Sequence, residues 1–136
     1  MKSQTKIIVR YAETDQMGIA HHSNYAVWFE AGRTDFIKAF GISYTQMEKQ
    51  GIMLPLVSLS CNFKIPANYE DELIIETSIK TVTPAKINFF YSVIRDGIVI
   101  ANGETVHGFV STETFKPISL KKKMPELFEK MKENEA

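Results

Sequence analysis

Hydrophobic and polar residues alternate from residue 5, with Ile7, Val9 and Tyr11 on one face and Lys6, Ile8 and Arg10 on the other, which predicts a strand over Thr5 to Tyr11. The period then changes. From Tyr25 the large apolar residues recur as Tyr25, Trp28, Phe29, Phe36, Ile37 and Phe40, close to helical spacing, with Glu30, Arg33 and Lys38 breaking the stripe. Ser23 and Asn24 are both good N-caps, and Gly41 stands where a left-handed C-terminal residue belongs. A helix of about 25 Å is therefore predicted from Asn24 to Phe40. So aromatic a face needs a wide apolar partner.

The rest of the chain supplies one. Ser43-Tyr44-Thr45-Gln46 has the form of a capping box and Gly51 closes a short second helix, a lid or spacer. From Leu54 to Lys64, Val57, Leu59, Cys61 and Phe63 alternate with Ser58, Ser60 and Asn62, predicting a strand with one packed apolar face and one polar, uncharged face. After a turn over Pro66 to Asp71 come three β-rich runs, Leu73 to Val82, Lys86 to Arg95 and Ile98 to Thr112. They are joined by Thr83-Pro84-Ala85 and by Asp96-Gly97, a strong two-residue hairpin signal. The last run would span about 50 Å if straight, so Gly103 and Gly108 are expected to bend or bulge it and the sheet to curl. Pro125 opens a short terminal helix with Leu127, Phe128 and Met131 on one side, and the mixed-charge tail Lys130 to Ala136 is expected to fray. The packing solution for these parts is an α+β domain in which a curled antiparallel sheet wraps one long central helix.

Composition narrows the function. A chain of 136 residues makes one domain, 1–136, without linkers, repeats or low-complexity segments. Its 16 Lys and Arg balance 16 Asp and Glu, so no overall field recruits nucleic acid or an anionic membrane. The single cysteine, Cys61, forms no internal disulfide, lies on an apolar face without a paired base, and fits a reducing compartment, with the cytoplasm as default. The N-terminus has no stretch apolar enough for a signal peptide, and no run of about 18 apolar residues exists to span a membrane.

Candidate chemistry gathers between the first strand and the long helix. Asp15 and Gly18 sit in a loop that leads into His22 at the helix start, where free backbone N–H groups concentrate positive potential suited to a developing oxyanion. A carboxylate folded back across that turn would face the same carbonyl. Asp15 fits the role of a turn cap equally well. Asp15, His21 and His22 make a poor metal set, since adjacent histidines diverge and no spaced third ligand follows. The chain lacks G-x-S-x-G, G-x-G-x-x-G and P-loop motifs. His107, between Val106 and Gly108, reads as a packed or groove-edge residue. Ser58, Ser60 and Asn62 either line a ligand groove or subunit seam or form a plain solvent face.

The run Thr14-Asp15-x-x-Gly18-Ile19-x-x-His22-x-Asn24-Tyr25, with Phe29-Glu30-x-x-Arg33 and Pro66-Ala67-x-Tyr69-x-Asp71-x-Leu73, resembles the signature of the 4-hydroxybenzoyl-CoA thioesterase-like family of hotdog-fold acyl-CoA thioesterases. The resemblance implies a hotdog fold and hydrolysis of an acyl-CoA to free acid and coenzyme A. It makes Asp15 the nucleophile or general base and the backbone N–H at His22 the oxyanion donor, and leaves the His22 imidazole to tune Asp15 or only to pack. Gly18, Tyr25, Trp28 and the Ser58, Ser60, Asn62 face become the substrate-facing candidates. Lys116, before Pro117, is the candidate for the coenzyme A phosphates, while Lys121 to Lys123 read as a solvated run. No metal or redox cofactor is implied, coenzyme A entering only with the substrate. Hydratases and dehydratases of the same fold use a different, histidine-rich motif, and an acyl-CoA-binding module without turnover stays open. One curled sheet leaves long edges, so a homodimer with a continuous sheet, or a dimer of dimers, is expected, with active sites at the seam.

Overall fold

The computed structural model describes residues 1–136. In chain order the elements are β1 (Ser3–Ile8), a 3-10 turn (Tyr11–Glu13), α1 (Ser23–Lys38), α2 (Tyr44–Lys49), β2 (Ile52–Met53), β3 (Leu56–Phe63) and β4 (Glu72–Val82). Then follow β5 (Lys86–Arg95), β6 (Ile98–Gly108), β7 (Val110–Ser111), α3 (Leu120–Lys123) and α4 (Pro125–Glu133). Five strands form one antiparallel sheet in the order β1-β4-β5-β6-β3, and β2 pairs separately with β7.

Local chemistry explains much of this. Asp96 and Gly97 both have positive φ, 51° and 78°, as a type I′ turn requires, and they join β5 to β6 in a tight hairpin. Ser43 caps α2 as expected: its Oγ accepts from the Gln46 N–H, and the Gln46 side chain accepts from the Ser43 N–H at 2.8 Å. In α4, Pro125 stands in the first turn, and Leu127, Phe128 and Met131 are buried.

Helix α1 packs on the sheet, with Trp28, Phe29, Phe36 and Ile37 almost wholly buried. Two glycines permit the approach. A Cβ on Gly32 would lie 2.5 Å from Thr77 Oγ1, and one on Gly103 would lie 2.5 Å from the Ser60 carbonyl and 2.7 Å from the Phe29 ring. That ring stacks on Tyr91 at 4.3 Å. Gly103 therefore forms no bulge in β6, which holds its register through this point; the irregularities fall between Val93 and Ile94, Ile79 and Thr81, and Leu56 and Ser58. Gly108 does end β6.

Three other expectations change. Strand β1 stops at Ile8, and Tyr11 enters the 3-10 turn with its side chain 76% exposed. The tail is docked, since the Ala136 N–H donates to the Ile79 carbonyl at 3.0 Å. The third concerns β3, whose alternation suggested a packed face. Leu56, Val57, Leu59 and Phe63 are all exposed, because β3 lies at the sheet edge with β6 as its one sheet neighbour. Cys61 is only partly buried, and burial pushes its thiol up to about 11, so it stays protonated.

A directed chain of hydrogen bonds crosses the core. His107 Nδ1 lies 3.1 Å from the Leu54 carbonyl, which can only accept, so Nδ1 carries the proton and Nε2 accepts from the Thr105 hydroxyl at 3.0 Å. Thr105 in turn accepts from the Tyr91 hydroxyl at 2.6 Å, and Tyr91 accepts from Arg33 Nη1 at 3.4 Å. Burial, reinforced by the Arg33 charge, pushes His107 down to about 4. The unfolded chain takes up this proton near the ordinary value of about 6.5 and the folded chain only near 4, so the contribution is complete above that ordinary value and fades as pH falls through the window. Denaturant titrations should show the wild type losing on the order of 3 kcal/mol more than His107→Gln between neutral pH and pH about 4. An identical acid loss in both proteins would show that His107 is not the responsible group.

Candidate active site

The loop between β1 and α1 is closed on itself. The Asp15 N–H donates to the Ile19 carbonyl and the Gly18 N–H to the Asp15 carbonyl, each at 2.9 Å, with Gly18 at φ +78° where a side chain would be strained. Asp15 Oδ1 accepts from the Met17 N–H at 2.9 Å, so the carboxylate caps its own turn. Its other oxygen has no protein donor. Further bonds pin this loop to its surroundings: the Ala20 N–H donates to the Ala67 carbonyl and the His21 N–H to the Glu13 carbonyl, both at 2.8 Å.

The helix starts differently from the sequence expectation. His22 occupies the N-cap position with helical φ and ψ, and no side chain caps it. Asn24 does not cap, because it lies within the first turn; its Nδ2 donates to the Glu13 carbonyl at 2.8 Å and to the His21 carbonyl at 3.0 Å. Ser23 Oγ is engaged with His21 Nδ1 at 2.8 Å. The backbone N–H of His22 makes no hydrogen bond within the chain.

Asp15, His22 and Tyr25 share a cavity of about 250 Å³ with Phe63, Lys64 and Ile65. The wall is aromatic, with Tyr25 meeting Phe63 edge-on at 4.9 Å and lying 4.7 Å from Trp28. Burial raises the Tyr25 phenol above its ordinary pKa, so the group stays neutral. A larger cleft of about 430 Å³ between Ile42 and the C-terminal helices is lined by Lys123, Glu126 and Lys130 and contains no histidine.

The other candidates fall elsewhere. Gly18 shapes the loop without lining the cavity, and Trp28 lies behind Tyr25, 2% exposed, its Nε1 donating to Glu13 Oε2 at 3.0 Å. Ser58, Ser60 and Asn62 are exposed along β3, where Asn62 Nδ2 donates to Asn102 Oδ1 at 3.2 Å. Lys116 is also exposed and sits beside Ser111, beyond the start of β3, whereas the cavity lies past its end. The length of β3, more than about 20 Å at the usual strand rise, separates the two within one chain. No group of three or more His, Cys, Asp or Glu side chains is placed to hold a metal ion.

Sequence reasoning missed Lys64, Phe63 and Glu13. The cavity residues Lys64 and Phe63 had read as strand positions, and only the fold shows that the end of β3 reaches the Asp15 loop. Glu13 carried no signal at all, since nothing local distinguishes a buried acid from a solvated one.

Residues 9–131 match the model of the thioesterase-like superfamily. A Bacillus subtilis protein named "Putative acyl-CoA thioesterase YneP" is 39% identical over 125 residues, covering 91% of each sequence. The structure of a DHNA-CoA thioesterase from Staphylococcus aureus matches with a TM-score of 0.90 at 37% identity, covering 95% of this chain and 89% of that one. A hypothetical protein from Thermus thermophilus matches with a TM-score of 0.88 at 34% identity, covering 100% and 99%. An antiparallel sheet packed on one long helix, a cavity lined by both Asp15 and the helix-start residue His22, and a family match over nearly the whole length agree: the chain belongs to the thioesterase-like superfamily.

Proposed function

We propose that the chain hydrolyses an acyl-CoA thioester to the free acid and coenzyme A at the Asp15 cavity. The observation that carries this reading is that Asp15, with one carboxylate oxygen free of protein donors, and His22, whose backbone N–H has no partner, line one small cavity. The acyl group lies along Tyr25, Phe63 and Ile65, and the thioester carbonyl oxygen points at the His22 N–H, at the positive end of α1. The free oxygen of Asp15 then acts in one of two ways. It attacks the carbonyl carbon, expelling the thiolate and leaving a mixed anhydride that water cleaves, or it takes a proton from water as that water attacks. In either case the thiolate leaves protonated as coenzyme A, and no metal or redox cofactor takes part.

The proposal includes the assembly. As a hotdog domain, with the sheet curled about α1, the chain leaves β3 as an open edge carrying exposed Leu56, Val57, Leu59 and Phe63. Two copies pairing antiparallel through β3 bury these side chains and continue the sheet. Such pairing sets the start of one β3 against the end of the other, so the partner subunit's Lys116 approaches this chain's Asp15 cavity, and Ser58, Ser60 and Asn62 fall at the seam.

Release of free thiol from a panel of aryl- and alkyl-CoA thioesters, DHNA-CoA among them, tests the activity. Turnover supports it, whereas hydration of an enoyl-CoA, or binding without thiol release, overturns it in favour of a hydratase or a binding module. For the coenzyme site, Lys116→Ala should raise KM for acyl-CoA severalfold while leaving kcat nearly unchanged, because phosphate binding is equal in ground and transition states. A pantetheine thioester, which lacks the nucleotide phosphates, should be indifferent to the change. Equal loss on both substrates would assign Lys116 a structural role.

A further inference from the structure

Glu13 is a carboxylate only 5% exposed, set between Arg10 and the buried Trp28. Acidic groups are rarely buried so fully unless every oxygen is engaged, and here each one is. Oε1 accepts from the Arg10 N–H at 2.8 Å and lies 3.5 Å from Arg10 Nε, while Oε2 accepts from Trp28 Nε1 at 3.0 Å. The backbone is equally committed. The Glu13 N–H donates to the Arg10 carbonyl at 2.9 Å, and its own carbonyl accepts from the His21 N–H and from Asn24 Nδ2, both at 2.8 Å. Burial alone would push this carboxyl up, yet the Arg10 N–H, the Trp28 indole and the Arg10 charge together hold it below the ordinary carboxylate value.

These bonds converge on a mechanical problem. Asp15 belongs to the loop, and the His22 N–H belongs to the start of α1. The loop is closed at its own waist by the Asp15 N–H and Ile19 carbonyl, which fixes its shape but not its angle to the helix. Glu13 is the loop's root, and it grips the helix at two separated places. Its carbonyl holds the helix start through His21 and Asn24, and its carboxylate holds Trp28, six residues beyond His22 and about 9 Å further along the axis at the usual rise. One point of attachment would leave a pivot; two remove it.

We propose that Glu13 is a positioning residue that fixes the Asp15 carboxylate against the His22 N–H by clamping the loop root to α1, an inference that rests on the hydrolytic reading above. Attack on a carbonyl tolerates little misplacement, a shift of about 1 Å costing on the order of 100-fold. Loosening the clamp therefore lowers kcat. It leaves KM nearly unchanged, since Glu13 itself lines neither the cavity nor the proposed coenzyme site.

Glu13→Gln separates positioning from mere support. An amide has one acceptor oxygen, so one of the two N–H groups now aimed at the carboxylate faces an NH2 instead. Trp28→Phe removes the indole donor and with it that conflict. At matched folded fraction, followed by near-ultraviolet circular dichroism, Glu13→Gln should lower kcat at least about tenfold with KM within about twofold of wild type. The double variant Glu13→Gln/Trp28→Phe should regain thermal stability over Glu13→Gln while kcat stays low, because the clash is gone and so is the clamp. Recovery of kcat together with stability in the double variant overturns the inference, as does normal kcat in the single one. Where the single variant fails to fold, the double variant alone decides on the same criteria. Absence of turnover by the wild type removes the hydrolytic reading and this inference with it, whereas turnover that depends on Asp15 but not on Glu13 sinks the inference alone.

Discussion

Asp15→Asn is expected to lower acyl-CoA hydrolysis by at least about 100-fold, the scale for losing a general base, while leaving the fold and the assembly intact. The structure makes this substitution clean. Asn keeps an Oδ1 that can accept from the Met17 N–H, so the turn that Asp15 caps survives, and only the charge on the oxygen without a protein partner is removed. Steady-state kinetics should therefore show a fall in kcat with KM little altered. Asp15→Glu carries the carboxylate about one methylene further and should recover little activity, since attack geometry tolerates only small misplacement. Retention of more than about half of kcat in Asp15→Asn would make Asp15 a turn residue, with His22 the next group to test.

Leu59→Lys should produce the second large effect, by a different route. Leu59 lies midway along β3 and is 43% exposed in the single chain, so a lysine there is compatible with folding of the protomer. Across a β3 seam the same position would be buried, and a charge taken out of water without a partner there opposes association, the device by which natural sheet edges avoid pairing. Sedimentation at micromolar concentration should show dimers or larger assemblies for the wild type and monomers for Leu59→Lys. Turnover at low acyl-CoA concentration should fall severalfold with the assembly, because the partner subunit's Lys116 is withdrawn from each cavity. A wild-type monomer with full activity would end the seam proposal and leave the exposed apolar side of β3 without a partner.

Legibility in the sequence followed the range of the interactions. The Asp96-Gly97 hairpin, the Ser43 capping box and the apolar stripe of α4 were readable because each is decided within a few residues. Gly103 was misread as a bend. Within a strand a glycine either kinks the backbone or makes room for a neighbour, and only the arrival of Phe29 from α1 decides between them. Ser23 and Asn24 looked like caps for a similar reason. The helix begins one residue earlier than they imply, and their side chains bond to His21 and Glu13, partners that local sequence does not reveal. Alternation along β3 suggested a packed face that the single chain does not have, because the pattern carries no information about what covers the strand. At the site, the Asp15 to His22 cluster stood out because it is contiguous in sequence, while Phe63 and Lys64 join it only through the fold.

The strand order β1-β4-β5-β6-β3 also governs how the protein comes together and comes apart. Strands β4, β5 and β6 are consecutive and joined by short turns, so this meander closes small loops and can assemble early. The two edges arrive from far away in sequence, Thr5 meeting Ile75 on one side and Ser60 meeting Glu104 on the other. Asp15 follows the first of these edge strands, and Phe63 closes the second. The cavity is thus lined by the loop that follows one of these strands and by the end of the other, regions that open more readily than the central meander. On gentle heating, catalysis should cease while the meander still protects its amides from hydrogen exchange, so that inactivation and melting are separate events in this fold.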